Sequence, residues 1–168
     1  MIDTAVEQML LKDTRSYVIP ADVVANVTAS NTLEHALMVL SKVGYNRIPV
    51  LAADDHLQGM ISLAAITDKL LQVPGAAVDQ LSHYKVADAM SPVGHWVDDP
   101  KKLETILNYL VDDPFIPLID DHQVFQGIIT RREMLKRINY LAHNLHVSYD
   151  VTPKQLTTEA SLHSVGHS

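Results

Sequence analysis

Thr130-Arg131-Arg132 sets a hydroxyl and two guanidinium groups side by side where the residue pattern turns from strand-like to helical. The first N–H groups of a helix lack intrahelical partners and lie at the positive end of its dipole, so this cluster suits a phosphate group. Thr130 followed by Glu133 also fits a capping box with both arginines in solvent, and the local sequence leaves the two readings open. Other chemistry-bearing residues form weaker patterns. His143 with His146, and His163 with His167, have spacings from which a helix could present two imidazoles to one ion, but no carboxylate or thiolate completes either set, so no metal is expected. Asp54-Asp55, Asp98-Asp99, Asp112-Asp113 and Asp120-Asp121 fall at turns or helix starts, where aspartate commonly satisfies backbone donors. His35, beside Glu34, reads as a surface or partly buried residue. Neither a nucleophile elbow, a Gly-rich phosphate loop nor an HExxH sequence occurs, so no catalytic residue is assigned and the chain reads as a binder, not an enzyme.

The elements that must position the phosphate-suited cluster come from an internal repeat. Arg47-Ile48-Pro49-Val50-Leu51 is echoed 68 residues on by Phe115-Ile116-Pro117-Leu118-Ile119. The same offset carries Leu57-Gln58-Gly59-Met60-Ile61-Ser62 onto Phe125-Gln126-Gly127-Ile128-Ile129-Thr130. Upstream, residues 33–40 match 103–110, with apolar positions 33, 36, 37 and 40 repeated at 103, 106, 107 and 110 on one helical face. Asn31 with Glu34 predicts the cap of the first of these helices, and Asp99 with Pro100 as first helical residue predicts the start of the second. Two short strands follow in each half, about 46–51 and 57–62, then 114–119 and 124–129, joined by Asp- and His-rich turns. Helices are predicted over 63–71 and from 131 to about 145. The expected organisation is a first repeat over 1–73 with an N-terminal helix, a linker over 74–85 containing Pro74-Gly75 at its start, a second repeat over 86–145 and a loose tail over 146–168. Each β-β-α unit has more apolar surface than it can bury alone, so the two must pack together about a pseudo-twofold axis, with clefts between them.

Composition bounds the function. The 168 residues are 47% hydrophobic but only 5% aromatic, which predicts an aliphatic α/β core. A net charge of -7 argues against gripping a nucleic-acid polymer, while leaving room for a small anion held by a local cluster. With no cysteine there are no disulfides or thiolate sites. The start carries no basic-then-apolar signal and no apolar run is long enough to span a membrane, so a cytoplasmic location is the expectation.

The two copies, Ile48-Pro49-Val50 with Gly59-Met60-Ile61-Ser62 and Ile116-Pro117-Leu118 with Gly127-Ile128-Ile129-Thr130, resemble a CBS-domain pair, or Bateman module, over about residues 18–145. Val24-Ala25-Asn26-Val27, residues 31–37, Gly44-Tyr45 and residues 124–132 further resemble stand-alone members of the CbpB or DarB type, which bind cyclic di-AMP. The resemblance implies an α/β (α+β) fold with small mixed sheets flanked by helices. It also implies a regulatory, non-enzymatic homodimer, and output through partners such as the bifunctional (p)ppGpp synthetase/hydrolase or pyruvate carboxylase. In such pairs the second half's Thr130-Arg131-Arg132-Glu133 faces Val24, Ala25 and Asn26 with Tyr45, Asn46 and Arg47. Ala25 would leave room for a base, Tyr45 would offer a stacking face and Arg47 would add charge. The family's acid three residues after the Ser/Thr is Ala65 in the first copy and Glu133 in the second, so the cleft at Ser62 is expected to be weak and the nucleotide to sit in one cleft per chain. The alternatives are a sensor of AMP, ADP or ATP, and a structural adaptor with a vestigial cleft.

Overall fold

The computed structural model describes residues 1–13, 17–75 and 77–154. Its helices are α1 (Thr4–Leu11), α2 (Leu33–Val43), α3 (Leu63–Leu71), α4 (Leu103–Asp112) and α5 (Arg131–Ser148). Its strands are β1 (Val18–Pro20), β2 (Val27–Thr28), β3 (Arg47–Leu51), β4 (Leu57–Ser62), β5 (Phe115–Ile119) and β6 (Phe125–Thr130). One sheet has the order β2-β3-β4, with β2 parallel and β4 antiparallel to β3; the other has the order β1-β6-β5, antiparallel throughout.

The sheets exchange their leading segments. β1 leads into the first half in sequence yet pairs with β6 of the second, Ile19 opposite Ile128. Reciprocally, Ser91, in the leading segment of the second repeat, bridges to Met60 on β4. This crossing explains the glycine in each repeated Gly-x-Ile-Ser/Thr sequence. A Cβ on Gly59 would stand 2.6 Å from the Ser91 carbonyl oxygen, and one on Gly127 would overlap that of Ile19. The halves also join where the two hairpins meet: Leu57 N–H donates to the Gln123 carbonyl at 3.2 Å and Phe125 N–H to that of Asp55 at 2.9 Å. Asp55 and Gln123, equivalent in the repeat, both have φ of 63°.

Both faces of these small sheets are covered, which is why the strands read as nearly continuous apolar runs. Ile48, Val50 and Ile61 pack with Leu33, Ala36, Leu40 and Ile66 of their own half. Ile116, Leu118 and Ile129 do the same with Leu103, Ile106, Leu110 and Met134. A third cluster, Val24, Leu51, Met60, Phe115, Phe125 and Ile128, lies between the halves. Leu81 of the expected linker and Val86 at the expected start of the second repeat are fully buried in the first half's cluster, so both contribute to that core.

Two helix starts differ from expectation. Thr32, not Asn31, caps α2, its hydroxyl accepting from the His35 N–H at 3.1 Å, because the Asn31 amide oxygen is taken by the Thr28 N–H at 2.9 Å. α4 begins at Leu103 instead of Pro100. The Asp99 carboxylate closes a tight turn onto the Lys101 N–H at 2.8 Å, and burial of Leu103 at 1% exposure sets where the helix begins. α5 runs to Ser148, three residues beyond expectation; residues 149–154 have no regular structure, and 155–168 of the expected tail lie outside the described residues.

Tyr17 ties the N-terminal segment to the second half. Fully buried, it donates its hydroxyl proton to the Pro100 carbonyl at 2.7 Å. Burial, aided by the Asp99 carboxylate, pushes its phenol from 10.0 up to about 12. The folded value exceeds the unfolded one, so this contribution is complete below about pH 10 and is lost as pH rises through about 12; it amounts to about 2–3 kcal/mol. Urea unfolding at pH 9 and pH 11.5 should show wild type losing more stability than Tyr17→Phe by roughly that amount. Equal losses in the two proteins would refute the assignment.

Candidate functional site

A cleft of about 770 Å³ opens between the two halves. One wall is the β6–α5 junction, Thr130 to Glu133 continuing to Leu135, Lys136 and Asn139; the other is Val43, Gly44 and Tyr45 at the α2–β3 connection, with Ile19 and Pro114 between. The junction exists because Thr130 ends β6 opposite Phe115 and at once caps α5, its hydroxyl accepting from the Glu133 N–H at 3.1 Å. A phosphate placed there meets the start of an 18-residue helix.

The two adjacent arginines have different roles. Arg131 turns to the end of α4, where its Nε donates to the Leu110 carbonyl at 2.7 Å and a terminal nitrogen donates to that of Val111 at 3.1 Å. Arg132 is exposed, lines the cleft, and has no hydrogen bond or ion pair among the described residues. Glu133 completes no capping box: its carboxylate accepts from Lys136 Nζ at 2.7 Å. Lys136 and Asn139 share the face of α5 that carries Arg132, a spacing of four and then three residues that helical periodicity could have flagged.

Across the cleft, Tyr45 is 37% exposed and sets its ring edge-on to Phe115, with centroids 6.0 Å apart. Of the residues proposed from sequence, the cleft gathers Tyr45, Thr130, Arg131, Arg132 and Glu133; Val24, Ala25, Asn26, Asn46 and Arg47 are not among its lining residues. Val24 is buried in the cluster that contains Phe115, and its carbonyl accepts from the Asn26 amide at 3.1 Å. Ala25 is half-buried. Asn46 is exposed and offers its carbonyl to the Leu63 N–H at 2.9 Å. Arg47 lies over the Phe115 ring, 5.1 Å from its centroid, and donates to Asp113 at 2.9 Å. Ile19, Val43, Gly44, Pro114, Leu135, Lys136 and Asn139 were not anticipated, and Ile19 arrives only through the strand exchange.

The repeat offset relates Tyr45 to Asp113 and Arg47 to Phe115, so the Tyr45–Phe115 ring contact and the Asp113–Arg47 ion pair are pseudo-symmetric versions of one contact. On the Ser62 side a carboxylate thus takes the place of the phenol, and it also holds His95 Nδ1 at 2.9 Å. Ser62 caps α3 through the Ala65 N–H at 3.1 Å, but Leu63-Ala64-Ala65 brings no cation. The helix start at Thr130 thus offers an anion an exposed cation, Arg132, whereas the one at Ser62 brings none and the carboxylate near it is already paired with Arg47. Among the described residues no group of three or more His, Asp or Glu could hold a metal ion, and no helix is long and apolar enough to cross a membrane. His143 and His146 lie exposed on α5, while His163 and His167 fall outside the described residues.

Two exchanged β-β-α halves around an interrepeat cleft define a tandem CBS-domain pair, and the family model for the CBS domain matches residues 3–72. Cyclic di-AMP receptor B of Bacillus subtilis (strain 168) is 34% identical over 142 residues, covering 83% of this chain and 95% of that protein. The crystal structure of CbpB from Streptococcus agalactiae superposes with a TM-score of 0.79 at 30% identity, covering 91% of this chain and 96% of the other. That of Listeria monocytogenes CbpB in complex with c-di-AMP gives 0.70 at 40% identity, covering 78% and 98%. The chain belongs to the CbpB family of CBS-domain proteins.

Proposed function

We propose that this chain is a non-enzymatic regulatory receptor that binds one cyclic di-AMP in the cleft between Tyr45 and the Thr130–Arg132 junction and relays its presence to partner proteins. The observation that carries the reading is the cleft itself, which joins a helix start, a half-exposed tyrosine ring and Arg132, a side chain with no ion pair among the described residues, whereas at the Ser62 helix start the position equivalent to Tyr45 is Asp113, already paired with Arg47. The cleft's volume falls within the roughly 300–1,000 Å³ usual for small-molecule sites. Its relative from Listeria monocytogenes was solved in complex with c-di-AMP. A phosphate would take the Thr130 hydroxyl, the first N–H groups of α5 and Arg132, with an adenine against Tyr45. Val24 and Arg47, which share Phe115 with Tyr45, would form the wall behind it, with Ala25, Asn26 and Asn46 adjoining in sequence. Signalling requires the ligand to favour one conformation over another.

The reading includes a homodimer in the cytoplasm. An apolar groove between α4 and α5, with Val111 75% and Leu135 57% exposed, supports association of two copies. The bifunctional (p)ppGpp synthetase/hydrolase and pyruvate carboxylase are the proposed protein partners. Calorimetry of the full chain with cyclic di-AMP, AMP, ADP and ATP tests the ligand, and sedimentation of the same samples tests the dimer. The expected result is one cyclic di-AMP per chain, bound at least roughly tenfold more tightly than any mononucleotide. Equal or tighter binding of a mononucleotide would replace the reading with an AMP, ADP or ATP sensor. Binding of none would leave a structural adaptor.

A further inference from the structure

Arg132, Lys136 and Asn139 line the nucleotide cleft from one face of α5. The repeat offset puts Ala64, Asp68 and Leu71 on the matching face of α3, so this polar, cationic face belongs to one half of the chain. The Lys136 ammonium is held by the Glu133 carboxylate at 2.7 Å. A helical side chain leans toward the helix start, and this pairing draws the ammonium to the first turn of α5, where Glu133 follows Arg132.

The cations of the cleft differ in what already holds them. Arg131 is occupied with the carbonyls that end α4, and Glu133 and Lys136 neutralise each other, which leaves Arg132 uncommitted among the described lining residues. One phosphate is matched by Arg132. A cyclic dinucleotide carries two phosphates in a single macrocycle, so the second needs another cation close to the first. Lys136 is four residues from Arg132, a spacing that puts Cβ atoms about 5–6 Å apart on a helix. The lysine end of its ion pair is 57% exposed, and ion pairs this exposed are weak, so a phosphate can draw the ammonium away from Glu133.

We propose that Lys136 is a specificity-determining residue that takes the second phosphate of a cyclic dinucleotide, and that Glu133 competes with that phosphate for its ammonium. The inference rests on the receptor reading and deepens it by separating ligands with two phosphates from those with one. A ligand with a single phosphate is held through Arg132 and leaves the Glu133–Lys136 pair closed. A cyclic dinucleotide opens the pair and gains a second charge-assisted contact. Glu133 thus lowers affinity for the ligand, whereas a carboxylate accepting from ribose hydroxyls would raise it.

Calorimetry of the full chain with cyclic di-AMP compares wild type, Lys136→Met, Glu133→Gln and the double variant, with urea unfolding as the control on folding. Lys136→Met is expected to weaken binding roughly tenfold, and Lys136→Arg to recover most of the loss. Glu133→Gln should tighten binding roughly two- to fivefold by freeing the ammonium from an exposed pair. In the double variant that gain should vanish, because no ammonium remains to be freed. The linear dinucleoside monophosphate ApA keeps both adenines and has one phosphate; competed against cyclic di-AMP, it should lose less than about twofold on Lys136→Met. Unchanged affinity in Lys136→Met, unchanged or weaker binding in Glu133→Gln, or a gain that persists in the double variant would each overturn the proposal. An equal loss for ApA would also overturn it, placing Lys136 at the first phosphate; where ApA fails to compete, the double variant decides. If wild type binds no cyclic di-AMP, the receptor reading falls and this inference with it. Binding by wild type that Arg132→Met weakens and Lys136→Met does not refutes the inference alone.

Discussion

Gly127→Ala is expected to lose about 3–5 kcal/mol of folding stability, a large share of the roughly 5–15 kcal/mol available to a domain. Two effects combine at this residue. Its φ of 149° lies where L side chains are strained, and a Cβ there would overlap the Ile19 carbonyl of the crossing strand. That carbonyl is backbone and cannot swing aside as a side-chain end would, so β1 must move off β6 or the chain must not fold. Gly59, its repeat equivalent, meets the Ser91 carbonyl oxygen at 2.6 Å without a positive φ, and Gly59→Ala should cost less, about 1–3 kcal/mol. Urea unfolding of the two variants checks both size and order. A Gly127→Ala protein within about 1 kcal/mol of wild type would show that β1 does not lie against β6 as described.

The second large effect concerns ligand affinity and separates two neighbouring residues of the same type. Arg132→Met should weaken cyclic di-AMP binding roughly 10–100-fold, the consequence of losing a charge-assisted hydrogen bond worth about 1.5–3 kcal/mol, while changing stability by less than about 0.5 kcal/mol. Arg131→Met should show the opposite balance. It removes the donors at the Leu110 and Val111 carbonyls and should cost about 1–2 kcal/mol of stability with a smaller effect on binding. Calorimetry and urea unfolding of both variants read the two columns of this comparison. Unchanged affinity in Arg132→Met would remove the phosphate from the β6–α5 junction.

That contrast marks how far local sequence could go. Thr130-Arg131-Arg132 announced a helix start with anion-binding chemistry, and the start is there, but nothing local distinguishes the arginine that closes α4 from the one that faces the cleft. The distinction depends on where the last carbonyls of α4 lie. α3 over 63–71 and, within one residue, the four hairpin strands β3, β4, β5 and β6 were legible because apolar periodicity and turn residues are local signals. The cap of α2 and the start of α4 were misplaced because several residues with capping side chains competed, and packing and neighbouring N–H groups chose among them. Arg47 was read as a charge for the ligand, and its pairing with Asp113 joins groups 66 residues apart that no spacing rule connects. β1, three residues long and matched with a strand more than 100 positions away, gave too little pattern to reveal its partner.

The exchanged leading segments also determine how the chain could be divided. A gene cut anywhere between the codons for Pro20 and Phe115 would leave the β5–β6 sheet in one product and its edge strand in the other. Cuts farther toward either end do not separate the repeats. No single break therefore yields two pieces that each close their own sheet, and the unit that can be moved intact into another protein is the pair, with Val18 included.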